Sequence, residues 1–234
     1  SIINNMATVW NGSTATALNP LTGGTDSQAL AINDSGVVVG DSSGVGFNTT
    51  ATVWNGSTTT ALAPVTGGTR SNATAINDSG VVAGFSGGGS IINNMATVWN
   101  GSTATALAPV TGETASRAWA INDSGVVVGD SYGSSPGRGR ATLWGADGLA
   151  IDLMSELDLS GSGWLLSIAL GINSSGQIVG YGTNPDGFTR GFVLTECGDT
   201  CGVAPVPIPA GAWLLLSAIG GLGFAGWRRK RLAA

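Results

Sequence analysis

A tryptophan-centred segment recurs at Trp10, Trp54, Trp99 and Trp144, at spacings of 44, 45 and 45 residues, and no other feature constrains the fold as strongly. A second marker keeps step with it. It reads AINDSGVVVG from Ala31, AINDSGVVAG from Ala75, AINDSGVVVG from Ala120 and, degraded, GINSSGQIVG from Gly171. Residues 1–18 (SIINNMATVWNGSTATAL) reappear unchanged at 90–107, the mark of an internal duplication. A fixed period of this length describes one small module, which buries its apolar face only against its neighbours.

Within one unit, ATVW and STTTAL flank Asn55-Gly56, a dipeptide that tolerates positive φ at both centres of a type I′ hairpin turn. ATAI and VVAG flank Asn77-Asp78-Ser79-Gly80, where Asx and Ser side chains cap a turn and Gly80 takes the left-handed position. The same reasoning makes Gly36, Gly125 and Gly176 positive-φ residues. Four strands in ~45 residues match the period and strand count of a β-propeller blade. The expected fold is all-β: a propeller-like array of four four-stranded repeats (about 1–46, 47–90, 91–135 and 136–195), or an N-terminally truncated piece of a larger propeller. The small pairs Ala29/Ala31, Ala73/Ala75 and Ala118/Ala120 are expected to share one face of the third strand, where close sheet approach demands small side chains. Val runs at 37–39 and 126–128 read as strands covered on both faces. GFVLT, Gly191 to Thr195, is a seventeenth strand left over from a four-unit ring, its partner strands expected upstream of Ser1.

Only 10% of the chain is charged, against roughly a quarter in average globular proteins, so hydroxyl, amide and backbone groups must carry its solubility. Arg228, Arg229, Lys230 and Arg231 hold four of nine basic residues, which leaves fourteen acids against five arginines before them. That balance repels phosphates, and nucleic acid is excluded as a partner. Catalysis fails on supply: there is no His, the sole Lys is Lys230, and neither cysteine lies inside a repeat. No catalytic residue, metal or cofactor is expected.

Residues 196–205 form a linker holding Cys197 and Cys201; in an exported chain a local disulfide is the leading reading and two free thiols the alternative. Residues 206–231 have three parts: a Pro motif, an uncharged stretch at 210–227, and the basic run. Eighteen helical residues reach about 27 Å, just enough for a bilayer core. Positive charge stays cytoplasmic, which would put the repeats outside with the basic run as the membrane stop. Ser217, Gly221 and Ala225 make a small-residue stripe that chance spacing in a Gly-rich span also explains. No secretory leader is visible at Ser1, so a truncated or processed start is expected.

The recurring A-x-A-I-N-D-S-G-x-V-V-G with an upstream A-x-x-W resembles the HAF-type extracellular repeats of bacteria over residues 1–195. The His-Ala-Phe triplet of that family is replaced here by Met95-Ala96-Thr97, Thr50-Ala51-Thr52 and Arg190-Gly191-Phe192. The resemblance implies an exported repeat domain without established catalytic residues. The tripartite C-terminal segment is similar to PEP-CTERM sorting signals, in particular the VPLPA variant, with Val206, Pro207, Ile208, Pro209 and Ala210 on its motif and Ile208 in place of Leu. This resemblance implies recognition by an exosortase-type membrane transpeptidase, an inner-membrane intermediate, cleavage near the Pro motif, and transfer to the cell envelope, surface or extracellular matrix. A permanent membrane anchor is the rival reading.

Asp34, Asp78 and Asp123 recur, but one carboxylate per turn falls short of the six to eight oxygens that Ca²⁺ takes, so they read as turn caps. Asp152, Glu156 and Asp158 could pair for acid–base work, yet IDLMSELDL reads more simply as a turn or short helix with Ile151, Leu153 and Leu157 turned inward. Asn-x-Ser/Thr sequons such as those at Asn11, Asn55, Asn72 and Asn100 leave glycosylation open. The alternative function is a glycan-binding module, with extracellular polysaccharide as partner. The periodic Trp reads as core, whereas Trp119, Tyr132 and Trp164 break the repeat pattern and are the candidate ligand contacts.

Overall fold

The computed structural model describes residues 5–44, 49–88, 94–133, 139–156 and 162–195. These residues are all-β, in five antiparallel sheets. Strands β1 (Ala7–Asn11) and β2 (Thr14–Leu18) form a hairpin. The next sheet holds β3 (Gly24–Ile32), β4 (Val38–Gly44), β5 (Thr49–Asn55) and β6 (Thr58–Leu62) in chain order. It is followed by β7 (Arg70–Ile76), β8 (Val82–Gly87), β9 (Met95–Asn100) and β10 (Thr103–Leu107), then by β11 (Ala115–Ile121), β12 (Val127–Tyr132), β13 (Arg140–Trp144) and β14 (Ala150–Asp152). After a single helical turn, α1 (Leu153–Glu156), the last sheet holds β15 (Leu165–Ile172), β16 (Ile178–Thr183) and β17 (Thr189–Leu194).

The two hairpin signals form their turns, but they combine out of phase with the sequence unit. Each four-stranded sheet takes its first hairpin from an AINDSG segment and its second from the ATVW segment that follows. GFVLT is therefore not left over. It becomes β17, paired to β16, while β1–β2 is the hairpin without a first half among the described residues. A period gives the length of a module, not its phase. Among the described residues no helix is long and apolar enough to cross a membrane; the span expected at 210–227 lies outside them, as do Cys197, Cys201, the Pro motif and the basic run.

The turns follow from local chemistry. Asn77 closes its turn three ways: its N–H donates to the Val81 carbonyl, its carbonyl accepts from Gly80, and its Oδ1 accepts from the Val81 N–H at 2.9 Å. Gly80 sits at φ 79°, and Gly36, Gly125 and Gly176 lie between 76° and 79°, a region that costs any residue with a Cβ. In the other hairpin the register sets Asn55 opposite Thr58, so Gly56 and Ser57 are the two loop residues and the strand ends at Asn55, one place later than the dipeptide pattern predicts.

The small pairs are a further correction. Ala73 and Ala75 do not share a face, because Thr74 between them is an extra, bulged residue. Ala73 is buried against the preceding sheet with Val39 and Trp99, whereas Ala75 packs toward the following one with Ala83 and Trp144. The bulge needs Gly84 opposite it, since a Cβ there would lie 2.0 Å from the Asn72 carbonyl oxygen. Gly40, Gly129 and Gly180 face the same obstruction, at 1.9 to 2.0 Å. The last glycine of each AINDSGVVVG marker is thus a steric requirement of the bulge.

Three uncharged bonding patterns recur between sheets. The Ser71 hydroxyl accepts from Ala51 N–H at 3.0 Å and donates to the Leu62 carbonyl at 2.8 Å; Ser27 and Ser116 repeat the pair one junction before and after. The indole N–H groups of Trp54, Trp99 and Trp144 donate to the carbonyls of Asn19, Ala63 and Ala108 in the sheet before. Asn33, Asn77 and Asn122 each donate from Nδ2 to the carbonyl of the next turn's Asn, the last of these being Asn173. Between these bonds lie apolar layers such as Val39, Ala51, Leu62, Ala73, Val82 and Trp99. The valine runs are covered on both faces: Val38 packs backward with Trp54, and Val39 packs forward with Trp99.

Candidate functional site

The register positions beside the bulge are not constant among the repeats. The residue after each bulge glycine, and its partner on the neighbouring strand, read Asp41 opposite Gln28, Phe85 opposite Asn72, Asp130 opposite Arg117, and Tyr181 opposite Ile168. The bulge and its glycine are repeated around these pairs, while the bulged residue varies with them, as Leu30, Thr74, Trp119 and Leu170. Neighbouring pairs also touch. Asn72 hydrogen-bonds the Asp41 carboxylate and accepts at Oδ1 from Thr49 Oγ1, and Phe85 meets Trp119 edge-on with ring centroids 6.0 Å apart.

The richest member is the third. Asp130, with a side chain only 1% exposed, accepts from Arg117 Nη2 at 2.9 Å through Oδ2 and from the Trp119 indole N–H at 2.7 Å through Oδ1. The Arg117 guanidinium then lies 5.2 Å from the Trp119 ring centroid and 4.6 Å from that of Tyr132. Trp119 reaches this place because it is the bulged residue of β11. One buried carboxylate therefore fixes a cation and an indole, and the cation is shared by two rings.

Burial pulls the Arg117 guanidinium down, but its hydrogen bond and charge pairing with Asp130 outweigh this and hold it above its ordinary value. Burial pushes the Tyr132 phenol up, with the Arg117 charge opposing, and Asn94 hydrogen-bonds it. The phenol is neutral at physiological pH. Two buried polar atoms at this cluster, Asn94 Oδ1 and Arg117 Nε, have no hydrogen-bond partner among the described residues.

Of the three candidate contacts, Trp119 and Tyr132 come together here. Trp164 does not: it packs against the apolar layer of Val128, Leu153 and Leu166 between the last two sheets. Arg117 and Asp130 were not singled out, although R-x-W on one strand and D-x-Y on its hairpin partner put all four on neighbouring positions. Trp54, Trp99 and Trp144 are core, as expected of the periodic tryptophan, while Trp10 is exposed.

The recurring acids act as caps, but between turns rather than within them: Asp78 Oδ1 accepts from the Asp34 N–H and Asp123 Oδ1 from the Asp78 N–H. Among the described residues no group of three or more acids, His or Cys could hold a metal ion. Asp152 is taken up by Arg140 and by the Met154 N–H, and Asp158 lies outside the described residues. Comparison with family models, curated proteins and solved structures finds no match.

Proposed function

We propose that this chain is an exported structural and interaction protein of the bacterial cell surface or extracellular matrix, delivered and processed by an exosortase-type membrane transpeptidase. The observation that carries this reading is the order of parts in residues 206–231: Val206-Pro207-Ile208-Pro209-Ala210, an uncharged stretch of bilayer length, then Arg228-Arg229-Lys230-Arg231. A Pro-x-Pro segment stays extended and cannot continue a helix, which presents it to a protease at the membrane surface. The stacked sheets support the structural half of the reading: an array of antiparallel sheets joined by hydroxyl, amide and indole bonds suits a sparsely charged extracellular scaffold. Replacing Pro207 and Pro209 by Ala tests it. Full-length protein should accumulate in the inner membrane; unchanged delivery to the surface would leave a plain anchor.

A second reading is favoured by the Arg117 cluster. A half-buried indole and a phenol held around one guanidinium offer stacking faces and donors to a sugar ring, so extracellular polysaccharide is the ligand class proposed. A glycan array with the wild-type chain and Trp119→Ala tests this. Binding that survives the substitution, or no binding at all, removes it.

A further inference from the structure

Asn-x-Ser/Thr sequons fall in two kinds of place, and the fold treats them oppositely. Besides the hairpin tips Asn55-Gly56-Ser57 and Asn100-Gly101-Ser102, the pattern lies in the Asn-x-Ser-Gly turns, beginning at Asn33, Asn77, Asn122 and Asn173, and in β7 at Asn72-Ala73-Thr74. In the turns the amide is already committed. Asn77 Oδ1 accepts from the Val81 N–H while its Nδ2 donates to the Asn122 carbonyl at 3.2 Å, and Asn33 and Asn122 repeat both bonds. Asn173 Nδ2 donates to Gln177 Oε1 at 2.8 Å. In β7, Asn72 bonds Asp41 and Thr49, and the sequon hydroxyl, Thr74 Oγ1, lies 3.1 and 2.9 Å from the Ala83 and Ala118 carbonyl oxygens. Modifying Asn33, Asn77 or Asn122 would break a bond between sheets.

The tips carry no such commitment. Asn55 pairs with Thr58 and Asn100 with Thr103, which leaves each glycine and serine as the loop; Gly56 and Gly101 both sit at φ 58°, so the glycine makes the turn and asks nothing of the Asn side chain. Asn55, Ser57, Asn100 and Ser102 are all exposed, and their side chains make no hydrogen bond among the described residues. Asn is a poor strand residue, yet it closes the strand at both tips.

We propose that Asn55 and Asn100 are N-glycosylation sites whose donor is a polyprenyl-pyrophosphate-linked oligosaccharide, used by a membrane oligosaccharyltransferase. The amide Nδ2 attacks the anomeric carbon of the donor. A C–N bond forms, the C–O bond to the pyrophosphate breaks, polyprenyl pyrophosphate leaves with that electron pair, and one amide proton passes to a base of the transferase. Such transfer acts on exported chains, so the proposal rests on the export reading above. Its place in the fold gives the glycan a task. The tips lead into β6 and β10, the uncharged last strands of their sheets, where Thr58, Thr60, Thr103 and Thr105 are exposed. Open edges are ordinarily guarded against strand addition by charge; in a chain only 10% charged, a hydrated sugar at each tip guards them instead.

The test is peptide mass spectrometry of the protein from fractionated producing cells, beside Asn55→Gln, Asn100→Gln and Ser57→Ala. One glycan mass is expected on each of Asn55 and Asn100, and none on Asn33, Asn72, Asn77 or Asn122. Each Asn→Gln should remove one glycan, and Ser57→Ala should remove the one at Asn55 with the asparagine still in place. All three sites are exposed, so the variants keep the wild-type melting temperature. Bare Asn55 or Asn100 in every fraction, glycan on the turn asparagines, or glycan persisting at Asn55 in Ser57→Ala would overturn the proposal. Whether the bare chain then lies on the surface or inside the cell decides the export reading separately.

Discussion

The duplicated eighteen residues permit one substitution to be made twice in identical sequence and different surroundings. Trp99→Ala removes a fully covered indole from the layer containing Val39, Ala51, Leu62, Ala73 and Val82, and leaves the Ala63 carbonyl without its 2.7 Å donor. Losing a buried Trp costs about 3–5 kcal/mol. For a chain of this size about 2–4 °C accompanies each kcal/mol, so the melting temperature should fall by about 6–20 °C. Trp99→Phe keeps most of the apolar contact and costs about 1–3 kcal/mol, chiefly the orphaned carbonyl. Trp10→Ala, at an exposed position, should change stability by less than about 0.5 kcal/mol. Thermal unfolding followed by circular dichroism reads all three. Equal shifts for Trp10→Ala and Trp99→Ala would refute the stacking of sheets β3–β6 and β7–β10.

Gly84→Ala should destabilise by about 2 kcal/mol or more, because its Cβ would meet a backbone oxygen at 2.0 Å and the bulge at Thr74 must open; Gly88→Ala, in open space, is the control, and chemical denaturation compares them. Ser71→Ala strands the buried Ala51 N–H and Leu62 carbonyl and should cost about 1–3 kcal/mol in the same assay, with Ser71→Thr distinguishing the hydroxyl from the space it fills. Burial holds the Asp41 carboxyl above its ordinary value despite its hydrogen bond from Asn72. The folded state therefore retains this proton longer than the unfolded chain, and stability falls as pH rises from the usual carboxylate value of about 3.9 through the raised one. Asp41→Asn should raise the melting temperature at about pH 7 and give no gain at about pH 3.

Local chemistry made the hairpins and turns legible: the Asn-x-Ser-Gly turn specifies its own hydrogen bonds, and Gly80 adopts the positive φ that its place demands. The periodic Trp was legible as core because one large aromatic per module has to be buried somewhere. Two features were hidden. The phase of the sheets was hidden because either pairing of hairpins satisfies a ~45-residue period. The bulge at Thr74 was hidden because ATAI looks like plain alternation, and only the Gly84 opposite it, constant among the repeats, hinted otherwise. The serine bridges carried a usable signal, since Leu18 and Ser27, Leu62 and Ser71, and Leu107 and Ser116 keep one spacing. At the candidate site, Trp119 and Tyr132 stood out by departing from the repeat, as did Trp164, which is core. Departure from a pattern marks freedom from the scaffold, and a residue released from it can still be buried by a local layer such as that around Leu153.

The central claim, export followed by removal of the membrane segment, is tested most directly by mass spectrometry of the protein recovered from the cell surface or matrix. The account predicts a mature C-terminus within or beside residues 206–210, full coverage of the repeat strands, and no peptide from residues 213–227. Peptides spanning residues 213–227 in that surface material would contradict it and make the chain a permanently anchored protein.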